Sequence, residues 1–423
     1  MRFVYSFFWC LALPLVFARL WWRGRKEPGY RAHIAERFGF YGAARATGSA
    51  EATIWVHAVS VGETRAAEPL IHALLEAYPR HAILLTHMTP TGRATGRALF
   101  GKQERVRQSY LPYDIGFLVG RFLRHFRPGI CILMETEVWP NLIAQCARHQ
   151  VHVALVNARL SERSLRKAMW LKALMLPAAR RIDCIAAQTE ADAERIRQLG
   201  ARNVHVTGSS KFDVTPPEEM LERGRRLRAQ IGKRPVLSCA ITREGEEALI
   251  LDALAAHDIG DALLLIVPRH PQRFDEVAAM IAARGLSVAR RSALGQDDLP
   301  SATRVLLGDT MGEMFAYHSS ADVVCIGGSL LPLGGHNLIE ACAVGKPVLI
   351  GPHTFNFSVV TEEAIAAGAA LRVPDAGTML EHAVRLLRDQ ARREEMGGKS
   401  LAFARRHRGA TARTFALLRP FIR

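Results

Sequence analysis

Acidic residues in this chain stand where apolar runs have just ended. Glu135-Thr136-Glu137 follows the uncharged run 130–134. Carboxylates so close to a buried strand are costly unless they are paired or face a ligand. Strand alternation would set Glu135 and Glu137 on one side. Ser60-Val61-Gly62-Glu63 closes the run 53–59 and fits two readings. One is a Ser-x-x-Glu capping box at a helix start. The other is a general base, a carboxylate able to take a proton from a hydroxyl within reach. Gly62 would permit a tight turn and close ligand approach. Basic and hydroxyl side chains recur at similar places. Arg159 follows the run 151–156 and suits a phosphate. Thr86 to Gly92 could hold a phosphate on its hydroxyls and the free amides of the next helix, or simply cap that helix. Lys211 precedes Pro216-Pro217, where it either reaches into a cleft or lies on the surface.

The second half repeats the pattern. Arg269 and His270 follow the run 262–267, and Met311-Gly312-Glu313 opens a helix whose terminus favours an anion. Gly334-Gly335-His336-Asn337-Leu338-Ile339-Glu340 joins a glycine turn to a helix start. Asn337 and Glu340 would share a helix face, where an acid beside an amide can accept ribose hydroxyls while glycine amides face phosphate.

The elements that must carry these residues are short apolar strands alternating with amphipathic helices. Strands are expected at 53–59, 82–86, 130–134, 151–156 and 183–187, then at 235–240, 262–267, 303–307, 322–326 and 347–350. That alternation predicts an α/β fold of two doubly wound Rossmann-like domains around a cleft, with ligands beyond the carboxyl ends of the strands. The expected division is a membrane-anchor helix and basic collar over 1–40, a first domain over 41–213, a linker over 214–217, and a second domain over 218–423 with a basic carboxyl-terminal helix.

Composition narrows the partners. The 423 residues are 49% hydrophobic and 23% charged, which excludes a disordered or fibrous chain. Lysine and arginine total 56 against 40 acids, a net charge of +16, so an anionic partner is expected. Seven scattered cysteines without C-x-x-C spacing read as core packing rather than a disulfide or zinc framework. Residues 3–18 carry no charge, and Arg19, Arg23, Arg25, Lys26, Arg31 and Arg37 follow, so the rest of the chain belongs on the cytoplasmic side. Arg405, Arg406, Arg408, Arg413, Arg419 and Arg423 add a basic flank, and each such residue near anionic lipid contributes about 1 kcal/mol. The run is short for a span, so anchor, embedded helix and buried helix all remain open. No P-loop, dinucleotide fingerprint or H-E-x-x-H is present. The lack of D-x-D makes metal-free chemistry the simpler expectation.

With these motifs in line, the chain resembles the 3-deoxy-D-manno-octulosonic acid (Kdo) transferases of Gram-negative lipopolysaccharide core biosynthesis. The likeness runs over almost its whole length. It includes Ser60-Val61-Gly62-Glu63, Met88-Thr89-Pro90-Thr91-Gly92, Leu111-Pro112-Tyr113-Asp114, the eight residues from Met134 to Asn141, Pro268-Arg269-His270-Pro271, Gly334-Gly335-His336-Asn337 and the stretch from Gly351 to Phe357. The resemblance implies the GT-B glycosyltransferase fold, CMP-Kdo as donor, lipid IVA as acceptor, an inverting displacement, and no metal or other cofactor. By position it implies Glu63 as general base, with Glu135 and Lys211 stabilising the transition state. It further implies CMP contacts from Arg269, His270, Met311, Gly312, Glu313, Asn337, Leu338, Ile339 and Glu340. It places the enzyme on the cytoplasmic face of the inner membrane, against anionic lipids. Two departures touch the donor side: Ile241 and Arg243 stand where the family more often shows Ser and His, and Ser210 replaces a larger apolar residue. Two alternatives explain part of the pattern. A nucleotide-sugar epimerase of the same fold needs no membrane segment. A non-catalytic protein binding anionic glycolipid or RNA explains the charge but not the acids at strand ends, and no aromatic-rich basic stripe suits nucleic acid.

Overall fold

The computed structural model describes residues 1–42 and 52–422. Residues 43–51 of the expected first domain, Arg423, and the Lys26 side chain of the expected collar lie outside the described set. Contacts divide the chain into two units, Met1–Asp213 with Gly409–Arg423, and Val214–Arg408.

Among the described residues each unit holds one seven-stranded sheet. The first comprises β1 (Thr53–His57), β2 (Ala82–His87), β3 (Val106–Tyr110), β4 (Pro128–Met134), β5 (His152–Ala158), β6 (Cys184–Ala187) and β7 (Val204–Val206), in the order β3-β2-β1-β4-β5-β6-β7. The second comprises β8 (Val236–Thr242), β9 (Leu263–Pro268), β10 (Val288–Arg290), β11 (Val305–Leu307), β12 (Val323–Ile326), β13 (Val348–Ile350) and β14 (Ala370–Arg372), in the order β10-β11-β9-β8-β12-β13-β14. Neighbouring strands pair in parallel throughout. Parallel strands covered by helices on both faces must be apolar on both. Accordingly Ile130 to Met134 and Leu263 to Ile266 are buried throughout.

The ten apolar runs of the sequence are the ten inner strands. The four unforeseen strands, β3, β7, β10 and β14, are the sheet edges. All four hold partly covered or exposed residues at most positions. An edge strand needs apolar residues on fewer positions, so no run announces it.

The expected second domain over 218–423 is shorter than predicted. Residues 409–422 return to the first unit, where Leu418 and Ile422 join Ile54, Val56, Ala66 and Leu70 in one core. Asp213 caps this returning segment by accepting the Gly409 and Thr411 amides (2.8 and 2.7 Å). Arg413 donates to the Thr207 carbonyl. The collar also changes: Arg37 is buried, donates to the Met88 carbonyl and stacks on the Tyr110 ring at 3.7 Å.

The first helix, Arg2–Lys26, runs unbroken through Pro14. Asn141 Nδ2 donates to Ser6 Oγ (2.9 Å) and the Trp9 ring lies 5.7 Å from that of Tyr113. Its far end turns at Pro28–Tyr30 onto the helix Pro90–Phe100. The helix therefore touches the first unit near both ends, while Phe3, Phe7, Phe8, Leu11, Leu15 and Trp22 face outward.

Candidate active site

In the first sheet the chain winds β1-β2-β3 to one side and then crosses to β4 on the other, so the strand order reverses between β1 and β4. Side-by-side loops diverge at such a point and leave a crevice at the carboxyl ends. Glu63 follows β1 and Glu135 follows β4. Ser60 caps the helix Val61–Ala77, its hydroxyl donating to Glu63 Oε1 (3.0 Å) while the Val59 amide donates to Oε2 (2.7 Å). The capping reading of this motif is thus realised, and the same contacts hold the carboxylate still. Burial pushes the Glu63 carboxyl up to about 7; the Val59 and Ser60 hydrogen bonds oppose that, and the negative Glu137 and Glu135 add to it. Gly62 makes no turn; it lies in the first turn of the helix, and a side chain there would touch the Ser60 hydroxyl at 4.0 Å, an ordinary contact.

Glu135 is buried and takes φ +55°, a left-handed conformation unusual for a side chain of its size. This kink ends the strand alternation expected to align Glu135 with Glu137. It turns the Glu135 carboxylate to Lys211 Nζ (2.6 Å) and Arg159 Nε (3.3 Å). Asn157, also at positive φ, accepts the Ser210 amide and so pins the short 3-10 turn Ser210–Phe212 that carries Lys211. Glu137 accepts the Trp139 indole N–H (2.6 Å), and burial raises its carboxyl. The three acids and two cations predicted from separate motifs thus meet at one switch point. Arg159 keeps 60% of its side chain exposed, available to an anion beyond the pair. At the loop after β2, Thr89 accepts the Gly92 amide (3.1 Å), the capping arrangement.

The second sheet reverses between β8 and β12. Glu246, wholly buried at the start of the helix Glu246–Ala256, accepts four amides: Gly328, Ser329, Leu330 and Arg243 (2.6 to 3.0 Å). It binds the glycine loop after β12 to the loop after β8. Gly328 sits at φ +69°, and a side chain there would strike the His336 ring at 2.9 Å. Arg269 follows β9, its amide bonded to the Thr242 carbonyl (2.9 Å). Desolvation and then the charges of Arg243, Arg269 and Arg273 hold His270 below its ordinary value. Burial, with Arg269 and Arg243, takes His336 to about 4. This is a cationic rim suited to an anion. Glu340 lies beneath it, its carboxyl raised by burial and partly restored by Arg269.

Glu313 is buried after β11. Burial favours its neutral form, but the Thr310 hydroxyl (2.5 Å), Arg223 (3.0 Å) and Arg291 outweigh that, and the carboxyl stays below its ordinary value. Met311 and Gly312 stand exposed beside it. Asn337 departs from the expected helix face: it precedes the short helix Ile339–Ala343, its Oδ1 accepting the Ile339 amide (3.1 Å). Leu338 and Ile339 are fully buried, so their side chains pack rather than line the surface. Sequence reasoning passed over Glu246. Its only local signal is an acid in a helix's first turn, since the amides it gathers lie on a distant loop.

Two parallel doubly wound units, each with its polar residues at the carboxyl ends of the strands, define the GT-B class. Solved structures of that architecture align with the chain. A UDP-GlcNAc 2-epimerase from Neisseria meningitidis is 15% identical with a TM-score of 0.59, over 87% of this chain and 100% of that one. A glycosyltransferase from Rickettsia africae is 11% identical with a TM-score of 0.55, over 88% and 98%. At such identities the likeness speaks for the fold alone.

Sequence relatives narrow the class. Residues 32–214 match the family model described as 3-Deoxy-D-manno-octulosonic-acid transferase (kdotransferase). A 3-deoxy-D-manno-octulosonic acid transferase of Bordetella pertussis is 48% identical over 97% of this chain and 96% of its own. The transferase of the same description from Haemophilus influenzae is 37% identical over 100% and 99%. The chain belongs to the 3-deoxy-D-manno-octulosonic acid transferases and is a glycosyltransferase.

Proposed function

We propose that this enzyme moves Kdo from CMP-Kdo to lipid IVA, by inversion, in lipopolysaccharide core biosynthesis. The observation that carries the reading is the meeting of Glu63 with the Glu135–Lys211 pair at the β1/β4 switch point. In this mechanism the acceptor hydroxyl oxygen attacks the Kdo anomeric carbon, its proton passes to Glu63, and the bond to CMP breaks with its electron pair leaving on the phosphate. A carboxyl near neutrality is half ionised at working pH and basic enough to take that proton. Glu135 favours the positive charge that develops on the sugar, and Lys211 the negative charge on the leaving phosphate. Arg269, His270, Met311, Gly312, Glu313, Asn337, Leu338, Ile339 and Glu340 form the donor site, the cations facing phosphate and the buried residues holding the loops. In this proposal the protein's own cations serve the leaving group, with no metal.

The acceptor's chains remain in the bilayer, so the enzyme works at the cytoplasmic surface of the inner membrane, held by its first helix and by anionic lipids rather than nucleic acid. A helix tethered near both ends, with an outward apolar stripe, suits an orientation in the interface rather than across it. The test is incubation of detergent-purified protein with CMP-Kdo and lipid IVA, with chelator, and mass analysis of the lipid beside Glu63→Ala. A gain of one or more Kdo units, lost in the variant, is the expected result. No gain with folded wild type and verified donor would refute the lipid IVA assignment.

A further inference from the structure

We infer that residues 162–172 form a second membrane contact, an interfacial knuckle that inserts among the headgroups of an anionic bilayer. The segment comprises the helix Glu162–Trp170 and the start of the helix Lys172–Ala179, joined at Leu171. The first of these helices buries none of its residues fully. At the joint three large apolar side chains stand outward in succession: Met169 at 40%, Trp170 at 89% and Leu171 at 54% exposure. Leaving an indole almost wholly in water forfeits the burial that aromatic residues normally gain. Arg163, Arg166, Lys167 and Lys172 flank the trio along the chain, against the single acid Glu162. An amphipathic aromatic tip flanked by cations fits a surface that is apolar inside and negative at its rim.

Its place in the fold ties it to the first helix. The helix Lys172–Ala179 packs on the helix Pro140–Arg148, and the first helix packs on that same element through Ser6 and Asn141. The knuckle and the outward stripe of the first helix are thus neighbours of one common helix. The segment leaves β5 directly after Arg159. Under the helix Lys172–Ala179 lies a small apolar cleft of about 40 Å³, lined by Val138, Leu160, Met175 and Ile182, with Glu135 and Arg159 among its walls. A knuckle held in the headgroup layer would keep the Glu135–Arg159 end of the first unit at the depth of a lipid headgroup. The inference rests on the proposed membrane site of action, and its test separates the two.

Hydrogen exchange of the full chain would be followed by mass spectrometry with vesicles of phosphatidylglycerol and phosphatidylethanolamine, and with phosphatidylcholine alone. The expected result is slowed exchange over 162–172 as well as over 2–26, stronger on the anionic vesicles. Arg166→Ser with Lys167→Ser should weaken vesicle partitioning roughly fivefold per residue. Trp170→Ser should abolish the protection at 162–172 while leaving 2–26 protected; the exposed position makes the fold indifferent to it. Protection of 2–26 without change at 162–172 would overturn the knuckle. Protection of neither would overturn the membrane reading itself.

Discussion

As the proposed base, Glu63 joins two demands that pull in opposite directions. A base must be ionised, yet burial and two neighbouring acids favour its proton. Its folded value near 7 lies above that of an unfolded glutamate, so the folded state holds more protons between roughly pH 4 and 7. Stability from this group is complete at acid pH and is lost as pH rises through about 7. Activity runs the other way, rising through the same range. Glu63→Gln should therefore lower kcat by about 10²- to 10⁴-fold, and calorimetry above pH 7 should show a Tm no lower than wild type. A Tm drop there would place Glu63 among structural caps. Lys211→Met leaves Glu135 with Arg159 as its remaining cation among the two ion pairs described. Loss of a charge that stabilises the leaving group typically costs about 10²- to 10³-fold in kcat; an effect confined to KM would contradict that role.

Loops gain their positions from helix starts and buried acids. Glu246 gathers four amides of two loops that the chain visits far apart. Glu246→Ala would leave those donors unpaired in a dry interior, at about 3 kcal/mol or more in total. The expected outcome is a raised KM for CMP-Kdo together with a lower Tm; unchanged donor affinity would show that the glycine loop holds itself. Asp114 does the same for the first unit. It accepts the Asn141 and Leu142 amides (3.1 and 2.7 Å) at the start of the helix Pro140–Arg148, the element on which the first helix rests. Much at this scale is legible in the sequence. Pro140 announces its helix, and Ser60 and Thr89 announce theirs. Edge strands are not legible, because half-covered segments such as Val288–Arg290 carry no apolar run.

At the scale of the molecule, the carboxyl terminus belongs to the first unit. Leu418 is fully buried there, and Asp213 and Thr207 hold the segment through its backbone and arginine. A chain ending at residue 408 loses that cover, at about 1.5–3 kcal/mol for each fully buried apolar side chain removed. Calorimetry should show an earlier unfolding transition for the first unit, while CMP binding by the second persists. Loss of both together would mean that the two units fold as one. The same return explains why the basic tail of the sequence is only partly a free surface, since Arg413 is spent on the Thr207 carbonyl.

By itself the sequence determined the two wound units, the ten inner strands and the family, because fully covered parallel strands demand uninterrupted apolar runs and the polar motifs must follow them. It also marked Glu63, Glu135 and Lys211 as residues worth chemistry. Only the tertiary structure decided that they meet. Strand order places β4 beside β1, and a left-handed kink at Glu135 turns its carboxylate to Lys211. It likewise decided that Arg37 is core, that Asn337 lies outside its helix, and that the last helix returns to the first unit. Each of these depends on contacts between residues distant along the chain, and no local pattern records which distant neighbour will supply them.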